Sequence, residues 1–148
     1  MSTAPAPAPN VQQVVPFFMV TDMSRSLRFY MEGLGFTMKY RWTPDSPDKI
    51  RWCWLELGGA SVMLQEYNPG RIPTEELGKG ASIWFQCQDS LALYYEFKAR
   101  GIETREPFVG NHMWDVALTD PDGYRLHFEC PTDVPEETKL SEVQAGGA

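Results

Sequence analysis

Phe17-Phe18-Met19-Val20-Thr21-Asp22 opens a pattern that the chain repeats as Ile83-Trp84-Phe85-Gln86-Cys87-Gln88-Asp89. Each apolar run ends on an aspartate, and an amphipathic segment of about three turns follows. A glycine and a second apolar run close each copy: Gly33-Leu34-Gly35-Phe36 in the first, Arg100-Gly101-Ile102 in the second. Strand, N-capping aspartate, helix, C-terminal glycine and return strand make one unit. The repeat is longer than a solenoid period, so two copies facing each other across a cleft fit better than an array.

The remaining elements follow from periodicity and turn chemistry. In the first copy Val14 to Val20 is a predicted strand, and Met23, Leu27, Tyr30 and Leu34 recur at helical spacing behind Asp22. Gly35 suits a left-handed cap. Strands are predicted over Phe36 to Trp42, Arg51 to Leu57 and Ala60 to Tyr67, with Gly58-Gly59 as a hairpin signal. In the second copy Ser82 to Cys87 is the first strand and Asp89 the cap, with Leu93, Tyr94 and Phe97 as the buried helix face. Thr104 to Val109, Met113 to Thr119 and Tyr124 to Glu129 complete it, the last two joined by the turn Asp120-Pro121-Asp122-Gly123. The expected architecture is α+β, two paired βαβββ modules forming a curved mixed sheet around a cleft. The expected division is a disordered Ala/Pro leader over 1–12, modules over 13–67 and 81–130, a linker over 68–80 and an acidic flexible tail over 131–148.

Composition narrows the function classes. The 148 residues suffice for one domain with a real core, and 13% aromatics exclude global disorder. A net charge of −7 argues against a phosphate backbone as partner, and no run is long enough to span a membrane. Cys53, Cys87 and Cys130 show no zinc-type spacing, and each lies in a strand-like run where a thiol acts as a small hydrophobe. With no charged n-region or apolar h-region at the start, a reduced cytoplasmic protein is expected.

Val20-x-Asp22, Ser26-Leu27-x-Phe29-Tyr30, Leu34-Gly35-Phe36, Lys98-Ala99-Arg100-Gly101 and Asp120-Pro121-Asp122-Gly123-Tyr124 together resemble the vicinal oxygen chelate superfamily. That superfamily includes glyoxalase I, extradiol dioxygenases, fosfomycin resistance enzymes and bleomycin resistance proteins. The resemblance covers Val14 to Glu129. It implies homodimers with clefts built from both chains, and in enzymatic members a divalent ion held by His, Gln or Glu from four cleft strands. The corresponding positions here are Val15, Met63, Ser82 and His127. Three of these four are not ordinary ligands for a hard or borderline cation, so no metal or other cofactor is expected. A shifted set of Gln13, Gln65, His127 and Glu129 would supply four N/O donors and is the alternative, with one divalent ion.

Strand alternation then assigns the cleft face. It carries Phe17 and Met19, Met63 and Gln65, Trp84 and Gln86, and Arg125, His127 and Glu129, with Trp52, Trp54 and Glu56 on it or on a dimer face. Trp52, Trp54 and Trp84 are expected on one concave surface, where a planar organic ligand would stack. Each tryptophan alone could equally be core. Glu56 and Glu129 would favour a cationic ligand. His112, in the Gly110 to Asp115 loop with Asp115 near it in sequence, is expected in solvent. The expected function is binding and sequestration of a small molecule in a homodimer, of the metal-free bleomycin-resistance type. The rivals are a metal-dependent lyase, isomerase or dioxygenase, and an interaction module with a closed cleft.

Overall fold

Pro16 sets where the first strand starts. It has no N–H for the ladder, so β1 spans Phe17–Val20 and leaves Val14 exposed. Asp22 caps α1 (Met23–Leu27) by accepting the Arg25 amide at 3.1 Å, and Glu66 accepts the Met23 amide at 2.8 Å. The helix then widens into a π-helical segment over Arg28–Gly33, where the Leu34 amide reaches the Phe29 carbonyl. Asp89 caps α2 (Ser90–Ala99) in the same way, accepting the Ala92 amide at 3.0 Å, and α2 stays α-helical. The π turn accommodates one extra residue. Gly35 therefore lies thirteen residues after Asp22 while Gly101 lies twelve after Asp89, both in the left-handed region with φ of 95° and 80°.

The computed structural model describes residues 5, 6 and 9–146. The leader expected over 1–12 and the end of the tail lie partly outside the described residues. With β2 (Thr37–Trp42), β3 (Trp52–Leu57) and β4 (Ala60–Glu66), the first sheet has the order β1-β4-β3-β2. The second holds β5 (Ser82–Gln86), β6 (Phe108–Gly110), β7 (Met113–Thr119) and β8 (Arg125–Pro131) in the order β5-β8-β7-β6. In each sheet the first and last strands pair parallel and the rest antiparallel. This is an α+β fold of two βαβββ modules. Phe17 pairs with Met63 and Met19 with Gln65, while Trp84 pairs with His127 and Gln86 with Glu129. Met63 and Gln65 are thus the counterparts of His127 and Glu129.

Burial follows the period-two pattern. Phe18, Val20, Cys53, Leu55, Val62 and Leu64 from the first sheet meet Phe85, Val116, Leu118, Leu126 and Phe128 from the second in one cluster, with Tyr30, Leu34, Phe36 and Phe97 between. Tyr30 and Phe97 each lie eight residues after a capping aspartate, and both are fully buried. Leu93 and Tyr94 are only half-buried at the cluster edge. Burial pushes the Cys53 thiol up to about 12, so it behaves as an apolar group here. Because both sheets commit their helix-side faces to one core, their opposite faces point away from it.

The Asp120–Tyr124 turn joins the modules. The Asp120 carboxylate accepts the buried Tyr30 hydroxyl at 2.8 Å and the Asp122 and Tyr124 amides at 2.9 Å each. Asp122 accepts the Thr21 hydroxyl at 2.6 Å and pairs with Arg25 at 3.2 Å. Tyr124 donates to the Met19 carbonyl at 2.7 Å and stacks on Phe18 at 4.4 Å.

Two segments differ from expectation. The strand expected from Thr104 begins only at Phe108, since Pro107 cannot donate and only the Arg105 amide reaches β7, at the Ala117 carbonyl. Within the stretch expected as a flexible tail over 131–148, residues 137–139 run beside β6 and lead into α3 (Leu140–Gly146). Val109 donates to the Thr138 carbonyl and accepts from the Glu137 amide, and Leu140 packs with Val109, Trp114 and Cys130. Leu140 is the apolar anchor that the acidic composition of this stretch conceals.

Candidate functional site

His127 lies on β8 facing away from the core, and its Nδ1 sits 3.0 and 3.1 Å from the two Asp115 carboxylate oxygens. Asp115 reaches it because β7 and β8 pair Ala117 with His127, which puts Asp115 on the same face one diagonal away. The Asp115 carboxylate is buried and only accepts, so Nδ1 carries the proton and Nε2 is left for other partners. Trp84, opposite His127 on β5, stacks its indole on the imidazole at 3.7 Å with the planes 6° apart. The indole N–H donates to Ser82 Oγ at 2.9 Å, which fixes the ring. Asp115, the aspartate close to His112 in sequence, thus serves His127.

His127 lines a cavity of about 640 Å³ together with Ser82, Thr104, Arg105, Thr119 and Arg125 among others. All of these belong to the second module. The first-module face carries its own aromatic group. Trp54 meets Tyr40 edge-on at 6.1 Å, and its indole N–H is buried with no partner among the described residues. Trp54 is registered with Met63, Trp52 with Gln65 and Glu56 with Ser61. A smaller cavity of about 370 Å³ is lined there by Trp42, Asp45, Arg51 and Gln65. A third, of about 550 Å³, lies on the seam between modules, with Leu57, Ala60, Trp84, Gln86 and Leu93 on its walls.

The structure therefore divides the expected cleft set. Phe17, Met19, Trp52, Trp54, Glu56, Met63 and Gln65 lie on the first sheet, and Trp84, His127 and Glu129 on the second. Of the three tryptophans Trp84 lines the cavity on the seam, and Trp52 and Trp54 line none of these three. Phe17, Tyr40, Trp42 and Trp84 are left 46 to 54% exposed. The acidic rim is also occupied. Glu56 pairs with Lys39 at 3.2 Å, which holds the lysine above its usual range, and Glu129 accepts the Gln86 amide at 2.7 Å. His112 is exposed, and it and Asn111 have positive φ while their amides donate to Glu136.

A divalent ion at the family positions does not fit the residues present. Val15 and Met63 offer no hard donor, Ser82 Oγ takes the Trp84 N–H, and one imidazole remains. In the shifted set, Gln13 donates to Ser61 at 3.0 Å and Glu129 is held by Gln86. Among the described residues no three His, Cys, Asp or Glu side chains gather as a metal site.

Duplicated βαβββ modules, each presenting a polar and aromatic strand face away from a shared core, define a two-module cleft fold. The model of the Glyoxalase/Bleomycin resistance protein/Dioxygenase superfamily matches residues 11–128, and the chain belongs to that family. An uncharacterized protein, YetH, of Bacillus subtilis (strain 168) is 32% identical over 111 residues, spanning 70% of this chain and 85% of that one. Among solved structures, TnmS3, an antibiotic binding protein from Streptomyces sp. CB03234, superposes with a TM-score of 0.63 at 21% identity. It covers 84% of this chain and 100% of its own. A bleomycin-binding protein complexed with bleomycin gives 0.64 at 23% identity, over 81% of this chain and 98% of its own. At these identities the solved structures show the fold alone. No helix among the described residues is long and apolar enough to cross a membrane.

Proposed function

We propose that this chain binds and sequesters a planar organic small molecule without a metal. The observation that carries the reading is the Trp84–His127 stack, whose imidazole lines the 640 Å³ cavity and whose indole lines the 550 Å³ cavity on the seam. A flat apolar surface beside hydroxyls and charged groups suits a ligand with an aromatic body and polar substituents. The antibiotic-binding and bleomycin-binding proteins of the same fold support small-molecule binding as the function. The Lys39 ammonium offsets the charge of Glu56, while Glu129, held by the neutral Gln86 amide, keeps its own. Calorimetric titration with naphthalene derivatives tests the reading. Binding at micromolar to millimolar Kd is expected, and no heat with any of them would overturn it.

The working form is a homodimer in which the first-module face of one chain covers the second-module face of its partner. Exposed Phe17, Tyr40, Trp42 and Trp84 are the motive, because monomers seldom leave aromatic faces this open. Sedimentation equilibrium at micromolar concentration is expected to give twice the chain mass. A monomer would remove the shared cleft.

A second reading has one observation behind it. The Asp115–Nδ1 contact is of the type that orients metal-ligating imidazoles, and it leaves His127 Nε2 open. Elemental analysis separates the two. Protein purified without added ions is expected to hold no stoichiometric divalent metal, and a chelator to leave its Tm unchanged. One equivalent of Zn, Ni, Mn or Fe, lost in His127→Ala, would favour the metal-dependent enzyme.

A further inference from the structure

We infer that the second-module cavity holds an anionic group, a carboxylate or phosphate, between Arg105 and Arg125. The inference deepens the small-molecule reading and rests on it only for the planar part of the ligand. The chain has 20 acidic and 13 basic residues, so acids are abundant. Arg25, Arg51 and Arg100 each pair with one. Arg28, Arg41, Arg71, Arg105 and Arg125 have no carboxylate within 4 Å among the described residues, and of these Arg105 and Arg125 line one cavity together.

The fold brings them together from two elements. Arg125 opens β8 between Ser82 and Thr119, on the same face as His127. Arg105 is held by its amide to the Ala117 carbonyl at 2.9 Å, beside the position registered with His127. Neutral donors complete the wall. Ser82 Oγ accepts from the indole, so its own proton is free to point to a ligand, and Thr119 supplies a second hydroxyl, while the Thr104 hydroxyl donates to the Arg105 carbonyl at 2.9 Å. Glu103 also lines the cavity but reaches neither guanidinium. Two planar forks beside hydroxyls are suited to oxyanion geometry. His127 lines the same cavity, and the Trp84 indole stacked on it extends the flat surface toward the cavity on the seam.

The experiment titrates the full chain by calorimetry with 2-naphthoate, 2-naphthyl phosphate, 2-naphthalenemethanol, 2-naphthylmethylammonium and inorganic phosphate. The anionic naphthyl compounds are expected to bind at least tenfold more tightly than the alcohol, with the ammonium compound weakest. Which of naphthoate and naphthyl phosphate binds better identifies the anion. Arg105→Gln and Arg125→Gln, both at exposed positions, should each lower anion affinity about tenfold and leave the alcohol unchanged. Arg28→Gln, outside the cavity, serves as the control. If the alcohol binds and the anions bind no better, the anion site is wrong while small-molecule binding stands. If inorganic phosphate alone binds, in an Arg125-dependent way, the anion site stands and the aromatic part falls. If no compound binds, both are overturned.

Discussion

Asp120→Ala is expected to cost about 3 kcal/mol of stability, seen as a Tm lower by roughly 10 °C in calorimetry. The carboxylate satisfies a hydroxyl and two amides at once, and the Tyr30 hydroxyl would lose its acceptor at a fully buried position. The same contact bridges the modules, so its loss loosens the seam at Thr21, Arg25 and Met19 as well. Asp120→Asn is expected to lose less, because one side-chain oxygen still accepts while the new amide faces a donor. Burial, only partly opposed by the hydrogen bonds, raises the Asp120 pKa above its ordinary value. A carboxyl raised on folding contributes stability that is present below the unfolded pKa and lost as pH rises through the folded pKa. The gap between parent and Asp120→Asn should therefore narrow as pH rises across that window. An Asp120→Ala protein melting with the parent would show that the turn does not hold the modules together.

That role explains what the sequence conveys and what it hides. The caps, the glycines and the alternating strands are local signals, and Asp22, Asp89, Gly35 and Gly101 occupy equivalent places in the two modules. Asp120-Pro121-Asp122-Gly123 is legible as a turn, but its carboxylates bond residues far away in sequence, which no turn rule encodes. The one-residue difference in spacing between the copies is visible in sequence, and its cause, the π turn, is not. Leu140 shows the converse: one apolar residue anchors a stretch whose composition suggests a loose tail.

The site was legible by face and not by assembly. Alternation places Trp84, His127 and Glu129 together on one sheet and Phe17, Met63 and Gln65 on the other. Whether two faces meet depends on how the modules share their core, and that is set by long-range packing of Tyr30, Phe36, Phe85 and Phe97. Asp115 was within reach of register. Counting back from the Asp120–Gly123 turn pairs Thr119 with Arg125 and Ala117 with His127, leaving Asp115 beside the imidazole. Arg105 had no such signal, since it enters from a segment outside any strand.

Trp84→Ala is expected to weaken binding of 2-naphthoate by about 2 kcal/mol, roughly thirtyfold in Kd. The indole supplies the stacking surface and covers one face of His127, and its N–H fixes the Ser82 hydroxyl at the cavity rim. Removing it takes away the apolar surface stacked on His127, frees the imidazole to rotate about its Asp115 contact and releases Ser82. Trp84 is exposed on its outer face, so the variant should still fold, and an unchanged circular dichroism spectrum checks this. Trp84→Phe should retain part of the affinity, since a smaller ring still stacks but cannot donate to Ser82. His112→Ala should change Kd by less than about twofold, because that side chain is 86% exposed on a loop beside Glu136. The opposite ranking, with His112→Ala abolishing binding and Trp84→Ala silent, would move the functional centre to the Gly110–Asp115 loop and leave the stacked pair as a structural contact.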